Sequence, residues 1–297
     1  MQSVLLPQYH DIQQELSQNG FVKISFLDAE QLSSLRTHYN EYLEMDTPFI
    51  NGIHMSTWMS DIKKKLLLRD SIEKILKKSF DQYFTDYKVS NTTFIVKKKH
   101  KVSNFPLHQD WSFVDEEKFE ALNVWIPLQD TTIYNGGLYV IPGSHKLSNK
   151  VRGAGMLSVD YTPYHKQLKP YLTPVSLKAG EALLFYYAVI HGSPDNKQAS
   201  DRVIVSTSVM PLQAPMIVNY YNQQQHTTEQ YAMPDDFVYL YDDIKTQSTT
   251  QPPKGMLINS FPYKKYEVSV KEIAGLIPPS FKNPVRLFFN TLKAQLS

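Results

Sequence analysis

Cysteine is absent from all 297 residues. That excludes disulfide staples and thiolate metal sites alike, so any metal centre must be built from imidazole and oxygen donors. An absence of Cys suits a reducing compartment without demanding one. Charge of one sign is also lacking: a formal net charge of +2 carries neither the basic footprint of nucleic-acid binding nor a strong pull toward anionic membranes. No apolar run is long enough for a bilayer. The longest, Ala182 to Ile190, reads as a buried strand and not as a transmembrane segment. The start, Met1-Gln2-Ser3-Val4-Leu5-Leu6-Pro7, lacks the basic residues and extended apolar core of a signal peptide, so a cytoplasmic location is expected. Neither a GxGxxG fingerprint nor a P-loop occurs, and there is no internal repeat, low-complexity tract or Pro/Gly-rich linker.

What is present is ordinary globular material, 42% hydrophobic and 20% charged, in a chain long enough to bury an ample core. Residues 1–87 read as a helical N-terminal layer. Gly20 stops one helix, Phe21 to Ile24 alternates as a short strand, and Asp28 caps a second helix carrying Leu32, Leu35 and Tyr39. A third helix fits Asp61 to Phe80, with Ile62, Leu66, Ile72, Ile75 and Leu76 inward and the lysines outward. Residues 88–211 change texture. Thr92–Val96, Leu122–Leu128, Leu138–Ile141, Pro174–Leu177, Ala182–Ala188 and Arg202–Val209 are strand-like, separated by turns such as Asn135-Gly136-Gly137 and Pro142-Gly143-Ser144. Many short strands in succession favour a sandwich or jelly roll over a doubly wound α/β fold. The fold expected is mainly β with added helices, in one domain. Residues 212–297 form a C-terminal extension whose aromatics, Tyr220, Tyr221, Tyr231, Phe237 and Tyr239, suit a lid, core packing or a dimer surface, and Asn283 to Gln295 fits a helix.

The segment Leu107-His108-Gln109-Asp110 carries the most chemistry. On an extended strand His108 and Asp110 share a face, which makes them a pair of metal ligands. His191 supplies a third if the fold brings two distant strands together. Two imidazoles and one carboxylate on one side of a metal leave the other positions open, an arrangement of non-haem Fe(II) oxygenases, with catalytic zinc as the rival. Arg202 opens the alternating run Arg202-Val203-Ile204-Val205-Ser206. Its side chain therefore shares a face with Ile204 and Ser206, and a buried guanidinium there requires an anionic partner.

Taken in order, Pro106-Leu107-His108-Gln109-Asp110, Trp125, Asn135-Gly136-Gly137-Leu138-Tyr139-Val140-Ile141-Pro142-Gly143-Ser144-His145-Lys146, His191-Gly192-Ser193 and Arg202 resemble the phytanoyl-CoA dioxygenase (PhyH-like) family of Fe(II)/2-oxoglutarate oxygenases. The resemblance spans roughly Thr92 to Pro211. It implies a double-stranded β-helix, a cupin-like jelly roll, with iron at one open end. It further implies His108, Asp110 and His191 as catalytic iron ligands, Arg202 as the clamp on the distal carboxylate of 2-oxoglutarate, Ser193 as an added donor to that carboxylate, and Trp125 as a wall of the co-substrate pocket. Fe(II), 2-oxoglutarate and O2 are then the cofactor and co-substrates, with succinate and CO2 released. Related halogenases carry a small residue at the Asp110 position, so a carboxylate there favours hydroxylation of a C–H bond over halogenation. Desaturation, epimerisation and cyclisation use the same centre and stay open. His145 reads as architectural despite its place in the motif.

The expected partner is a small molecule, free or linked to CoA or a carrier protein; no nucleic acid is implied. The Lys97-Lys98-Lys99-His100-Lys101 run suits an anionic substrate or a phosphopantetheine arm, but as a pattern it fits better a solvated strand end with edge-protecting lysines. Trp111, Phe113 and Phe119 suit a substrate entrance or a core. A cupin-like protein that binds a metal or small molecule without turnover is the alternative function.

Overall fold

The computed structural model describes residues 3–43, 50–99, 101–149, 151–153, 155–240 and 251–282. His100 and the helix expected over Asn283 to Gln295 lie outside them.

Antiparallel sheets dominate. The largest sheet has six strands in the order β1-β8-β5-β10-β3-β2, where β1 is Phe21–Ser25, β2 Ile53–Met55, β3 Tyr87–Lys97, β5 Leu122–Pro127, β8 Glu181–Tyr186 and β10 Arg202–Pro211. A sheet of four short strands, in the order β4-β9-β6-β7, contains β4 (Phe105–His108), β6 (Tyr139–Val140), β7 (Thr173–Pro174) and β9 (His191–Ser193). Side chains alternate along β10 and so divide between two cores. Val203, Val205 and Val209 join one in which Leu16, Leu35, Leu68, Ile72, Leu76 and Phe80 are buried against the large sheet. Ile204 faces the other way, into a core with Trp125, Leu183 and Phe185 on the large sheet and Leu138 and Val140 beside the small one. The space between the two sheets is thus filled at one end and left for chemistry at the other.

Leu16 belongs to α1 (His10–Asn19), Leu35 to α2 (Ala29–Leu43), and Leu68 to Phe80 to α3 (Ile62–Tyr83). The helix ends follow their caps. Gly20, at φ 89°, ends α1 by donating its N–H to the Leu16 carbonyl, a left-handed stop that costs a non-glycine residue energy. Before α2, Asp28 Oδ1 accepts from the Gln31 N–H while Gln31 Oε1 accepts from the Asp28 N–H, a reciprocal capping box. Asp61 caps α3 through Lys64 N–H. The inward stripe of α3 runs Lys65, Leu68, Ile72, Leu76, Ser79, Phe80 and Tyr83, which corrects the expectation that every lysine on this helix faces solvent; Leu66 and Ile75 are half-buried and pack against the cores, and Ile62 is half-buried. The buried stripe continues one turn further than expected, to the strand that follows.

After β10 the chain forms a third sheet from β11 (Ile217–Asn222), β12 (Thr227–Ala232) and β13 (Met256–Pro262), none of which the hydrophobic pattern announced. Of the aromatics there, Tyr231, Phe237 and Tyr239 are buried in a core that also takes Phe113 and Phe119 against it. A short helix, α5 after the single turn α4 (His165–Leu168), covers Val270–Leu276 and buries Ile273.

Candidate metal centre and anion pocket

His108 ends β4 and stands directly opposite His191, the first residue of β9. Cross-strand pairing at this register sets the two rings 4.2 Å apart between centroids. Asp110 follows the end of β4 and is not part of a strand. Strand parity therefore does not position it, contrary to the expectation. Its backbone does: the Asp110 N–H donates to the Tyr187 carbonyl at 3.0 Å, and its own carbonyl accepts from Arg152 Nε at 2.8 Å. Arg152 is buried and is itself held by Glu116 and the Asn149 carbonyl. The Asp110 carboxylate then lies 3.7 Å from His108 Nε2 through Oδ1 and 3.7 Å from His191 Nε2 through Oδ2. One ligand atom from each residue falls within 4.8 Å of the others.

Each imidazole is oriented for ligation. His108 Nδ1 lies 2.8 Å from the Pro106 carbonyl and His191 Nδ1 lies 3.0 Å from the Val189 carbonyl. Because a carbonyl only accepts, Nδ1 carries a proton in both rings, and Nε2 is the ring atom that each presents to Asp110. Loss of solvent and, next, the neighbouring His191 push His108 down to about 4, so this ring is neutral at pH 7. Asn123 Nδ2 donates to Asp110 Oδ2 at 2.6 Å and fixes the carboxylate from behind. Asn123 lies two residues before Trp125 on β5, and that parity was the signal from which it was recoverable.

His108, Asp110 and His191 open onto a cavity of about 130 Å³ between the two sheets, lined also by Lys97, Asn123, Trp125, Ser193, Arg202 and Ser206. Arg202 and Ser206 reach it from one face of β10 while Val203 and Val205 pack on the other, as the alternation predicts. Ser193 is buried beside them, and Trp125 lies under the guanidinium, 5.5 Å from ring centroid to Cζ. Arg202 is 2% exposed, yet its Nε and Nη1 have no hydrogen-bond partner among the described residues. Burial alone presses this guanidinium down to about 9, so it remains a cation at neutral pH. A buried cation with two open donors is costly unless an anion completes it.

His145 packs elsewhere, its ring stacked on Tyr186 with Nε2 near the Ser17 carbonyl. Of the lysine run, Lys97 is buried, Lys98 pairs with Asp201, and Lys99 is exposed, so the reading of a wholly solvated strand end is corrected at its first residue.

With this geometry in hand, comparison with known proteins is decisive on family. The sequence model described as phytanoyl-CoA dioxygenase (PhyH) matches residues 16–204. The chain belongs to the phytanoyl-CoA dioxygenase family. Among relatives of this family member, the phytanoyl-CoA dioxygenase of Arabidopsis thaliana is 32% identical over 106 residues, 35% of this chain and 37% of that protein. The L-proline trans-4-hydroxylase of Streptomyces griseoviridis is 27% identical over 154 residues, 42% of this chain and 58% of that protein. The matches thus span less than two thirds of either relative. The solved structure of the epimerase SnoN, in complex with Fe3+, alpha ketoglutarate and nogalamycin RO, aligns with a TM-score of 0.52 at 14% identity, covering 85% of this chain and 96% of that one. At that identity the likeness is one of fold, the jelly-roll type of the 2-oxoglutarate oxygenases.

Proposed function

We propose that this phytanoyl-CoA dioxygenase family member is an Fe(II)/2-oxoglutarate-dependent dioxygenase that hydroxylates an unactivated C–H bond of a small molecule. The observation that carries the reading is the buried Arg202 with two open donors, sharing one small cavity with a His-Asp-His cluster. Two imidazoles and one carboxylate suit Fe(II), and the guanidinium fork suits a carboxylate held at a distance from the metal. Family membership and the proline hydroxylase relative support the reaction class.

In this reading His108, Asp110 and His191 hold the metal, and Asn123, Arg152 and the Pro106 and Val189 carbonyls keep those ligands oriented. Arg202 binds the distal carboxylate of 2-oxoglutarate, Ser193 adds a hydroxyl donor, and Trp125 walls the pocket. When bound, Fe(II) with 2-oxoglutarate and O2 supplies an oxidation that yields succinate and CO2 and inserts one oxygen atom into the substrate. Asp110 keeps a coordination position that a halide would need, which favours hydroxylation. Residues 1–297 act as one domain, with an N-terminal helical layer at 1–87, a jelly-roll core at 88–211 and an extension at 212–297. Among the described residues no helix is long and apolar enough to cross a membrane, and we assign the protein to the cytoplasm, acting on a small-molecule substrate.

The test is anaerobic addition of Fe(II) and 2-oxoglutarate. A weak visible charge-transfer band from the bidentate chelate is expected, followed on admission of O2 and candidate substrates by succinate and a product heavier by one oxygen. Absence of the band would favour a non-catalytic cupin-like binding protein.

A further inference from the structure

Lys97 is the last residue of β3 and pairs directly with Arg202 at the start of β10. Alternation turns it inward: Val96 enters the large core, while Ile95 and Lys97 face the cavity that Arg202 lines. The result is two basic side chains, 1% and 2% exposed, at one end of one cavity.

Among the described residues no carboxylate makes an ion-pair contact with Lys97. Its Nζ donates to the Ser193 and Pro194 carbonyls at 3.2 and 2.6 Å, which uses two of the three protons of an ammonium or both protons of a neutral amine. From β10 it faces Arg202, a like charge. From the 194–201 turn it senses Asp195, whose Oδ1 accepts from the Ser103 N–H. From β2 it pairs with Ile53. From the loop before β6 it meets Gly136, where a Cβ would fall 2.7 Å from Lys97 Cδ. Burial and, next, Arg202 push the Lys97 amine down to about 6, against a smaller opposing pull from Asp195.

Two buried cations without an anion are more than this cavity tolerates, whereas two cations around a carboxylate are a complementary set. We propose that Lys97 is the adjustable charge of the anion pocket: neutral while no anion is bound, and protonated when the distal carboxylate of 2-oxoglutarate seats against Arg202. Each binding event then transfers one proton from solvent to the Lys97 amine, converting –NH2 to –NH3+ with no other bond changed. Lys97 is a positioning residue in the same act, because its two carbonyl contacts hold the turn that carries Ser193. The inference rests on the assignment of Arg202 as the co-substrate clamp.

Calorimetric titration of the iron-loaded protein with 2-oxoglutarate, anaerobically at pH 7.5 in phosphate, HEPES and Tris, counts protons from the dependence of the heat on buffer ionisation. Wild type is expected to take up about one proton per ligand. Lys97→Met and Lys97→Arg are each expected to take up one proton fewer than wild type, the second with binding retained. Between pH 7 and 8.5 the wild-type Kd should rise about tenfold per pH unit, a slope the Arg variant loses. Binding with no proton uptake in wild type, or equal uptake in wild type and the folded variants, overturns this inference alone. No binding heat in any buffer overturns the co-substrate assignment together with it. Should Lys97→Met fail to fold, the Lys97→Arg count decides.

Discussion

Replacing Arg202 by methionine should make the anion-free protein more stable and the co-substrate complex weaker, two effects of opposite sign from one substitution. The wild-type guanidinium leaves Nε and Nη1 unpartnered at 2% exposure. Each unsatisfied buried donor costs about 1–3 kcal/mol. Methionine removes both and keeps most of the apolar stem, while giving up the contact with the Trp125 face, about 0.5–2 kcal/mol, and some packing volume. The net is a gain of about 1–3 kcal/mol, several degrees in Tm at roughly 2–4 °C per kcal/mol for a chain of this size. Binding moves the other way, since loss of a charge-assisted contact of about 1.5–3 kcal/mol weakens 2-oxoglutarate by one to two decades. Thermal unfolding with and without 2-oxoglutarate, on metal-loaded protein, reads both. Wild type should gain about 2.7 kcal/mol at a ligand concentration of 100 Kd; the variant should start higher and gain little. A variant that starts lower than wild type and still shows the full ligand shift would refute the claim that Arg202 is held in wait for an anion.

Asp110→Ala should abolish turnover and strongly weaken metal binding, measured by metal content after dialysis, because it removes the one anionic ligand of the cluster; full turnover would sink the triad. Asn123→Ala frees the Asp110 carboxylate from its 2.6 Å donor and should weaken metal affinity about 10–100-fold, with the fold intact by circular dichroism; unchanged affinity would show that Asp110 needs no support from β5. For Lys97, held down to about 6 in the folded protein against 10.5 as the ordinary value, the unfolded chain binds more protons between those limits. Stability of the anion-free protein should therefore rise with pH from about 6 upward on this account. Urea midpoints at pH 6 to 9 should show that slope in wild type and its loss in Lys97→Met, and equal slopes would argue that Lys97 is charged in both states. Gly136→Ala places a methyl 2.7 Å from Lys97 Cδ at a backbone φ of 79° and should destabilise both the turn and 2-oxoglutarate binding, read as a lower Tm and a higher Kd. Normal values for both would show that Lys97 is not confined there.

Much of the fold was legible because its strands are amphipathic in a simple way. Along β10 each alternate residue serves one of two cores, and the run Arg202 to Ser206 displays that division without any structure. Helix boundaries were equally readable where local chemistry decides them: Gly20 in a left-handed stop, Asp28 with Gln31 in a capping box, Asp61 as a cap. Reading failed where burial depends on distant partners. Lys65 is drawn inward on α3 because that face continues into the core formed with the large sheet, and no helical periodicity ranks a lysine as apolar. The strand β13 escaped because it is exposed along most of its length, so pairing and not a hydrophobic pattern defines it.

At the site the residue types were legible and their geometry was not. His108 and His191 meet because β4 and β9 pair in that register, a long-range fact that a shared motif order implies but spacing does not. Asp110 reaches the cluster by a different route from the one its two-residue spacing suggested: the strand ends at His108, and a buried Arg152 and the Tyr187 carbonyl then steer the backbone. The route matters, because a side chain held by a loop is only as rigid as the contacts behind it, so in the metal site proposed above Asn123 and Arg152 are expected to influence metal affinity. Lys97 carries the same lesson further. In sequence it opens a run of lysines and invites one description for all of them; in the fold the strand pleat separates it from its neighbours and sets it beside Arg202. A second cation buried at the cross-strand position beside Arg202 would destabilise the anion-free fold, so the Lys97 amine gives up its proton there and takes one back where a ligand of opposite charge completes the set.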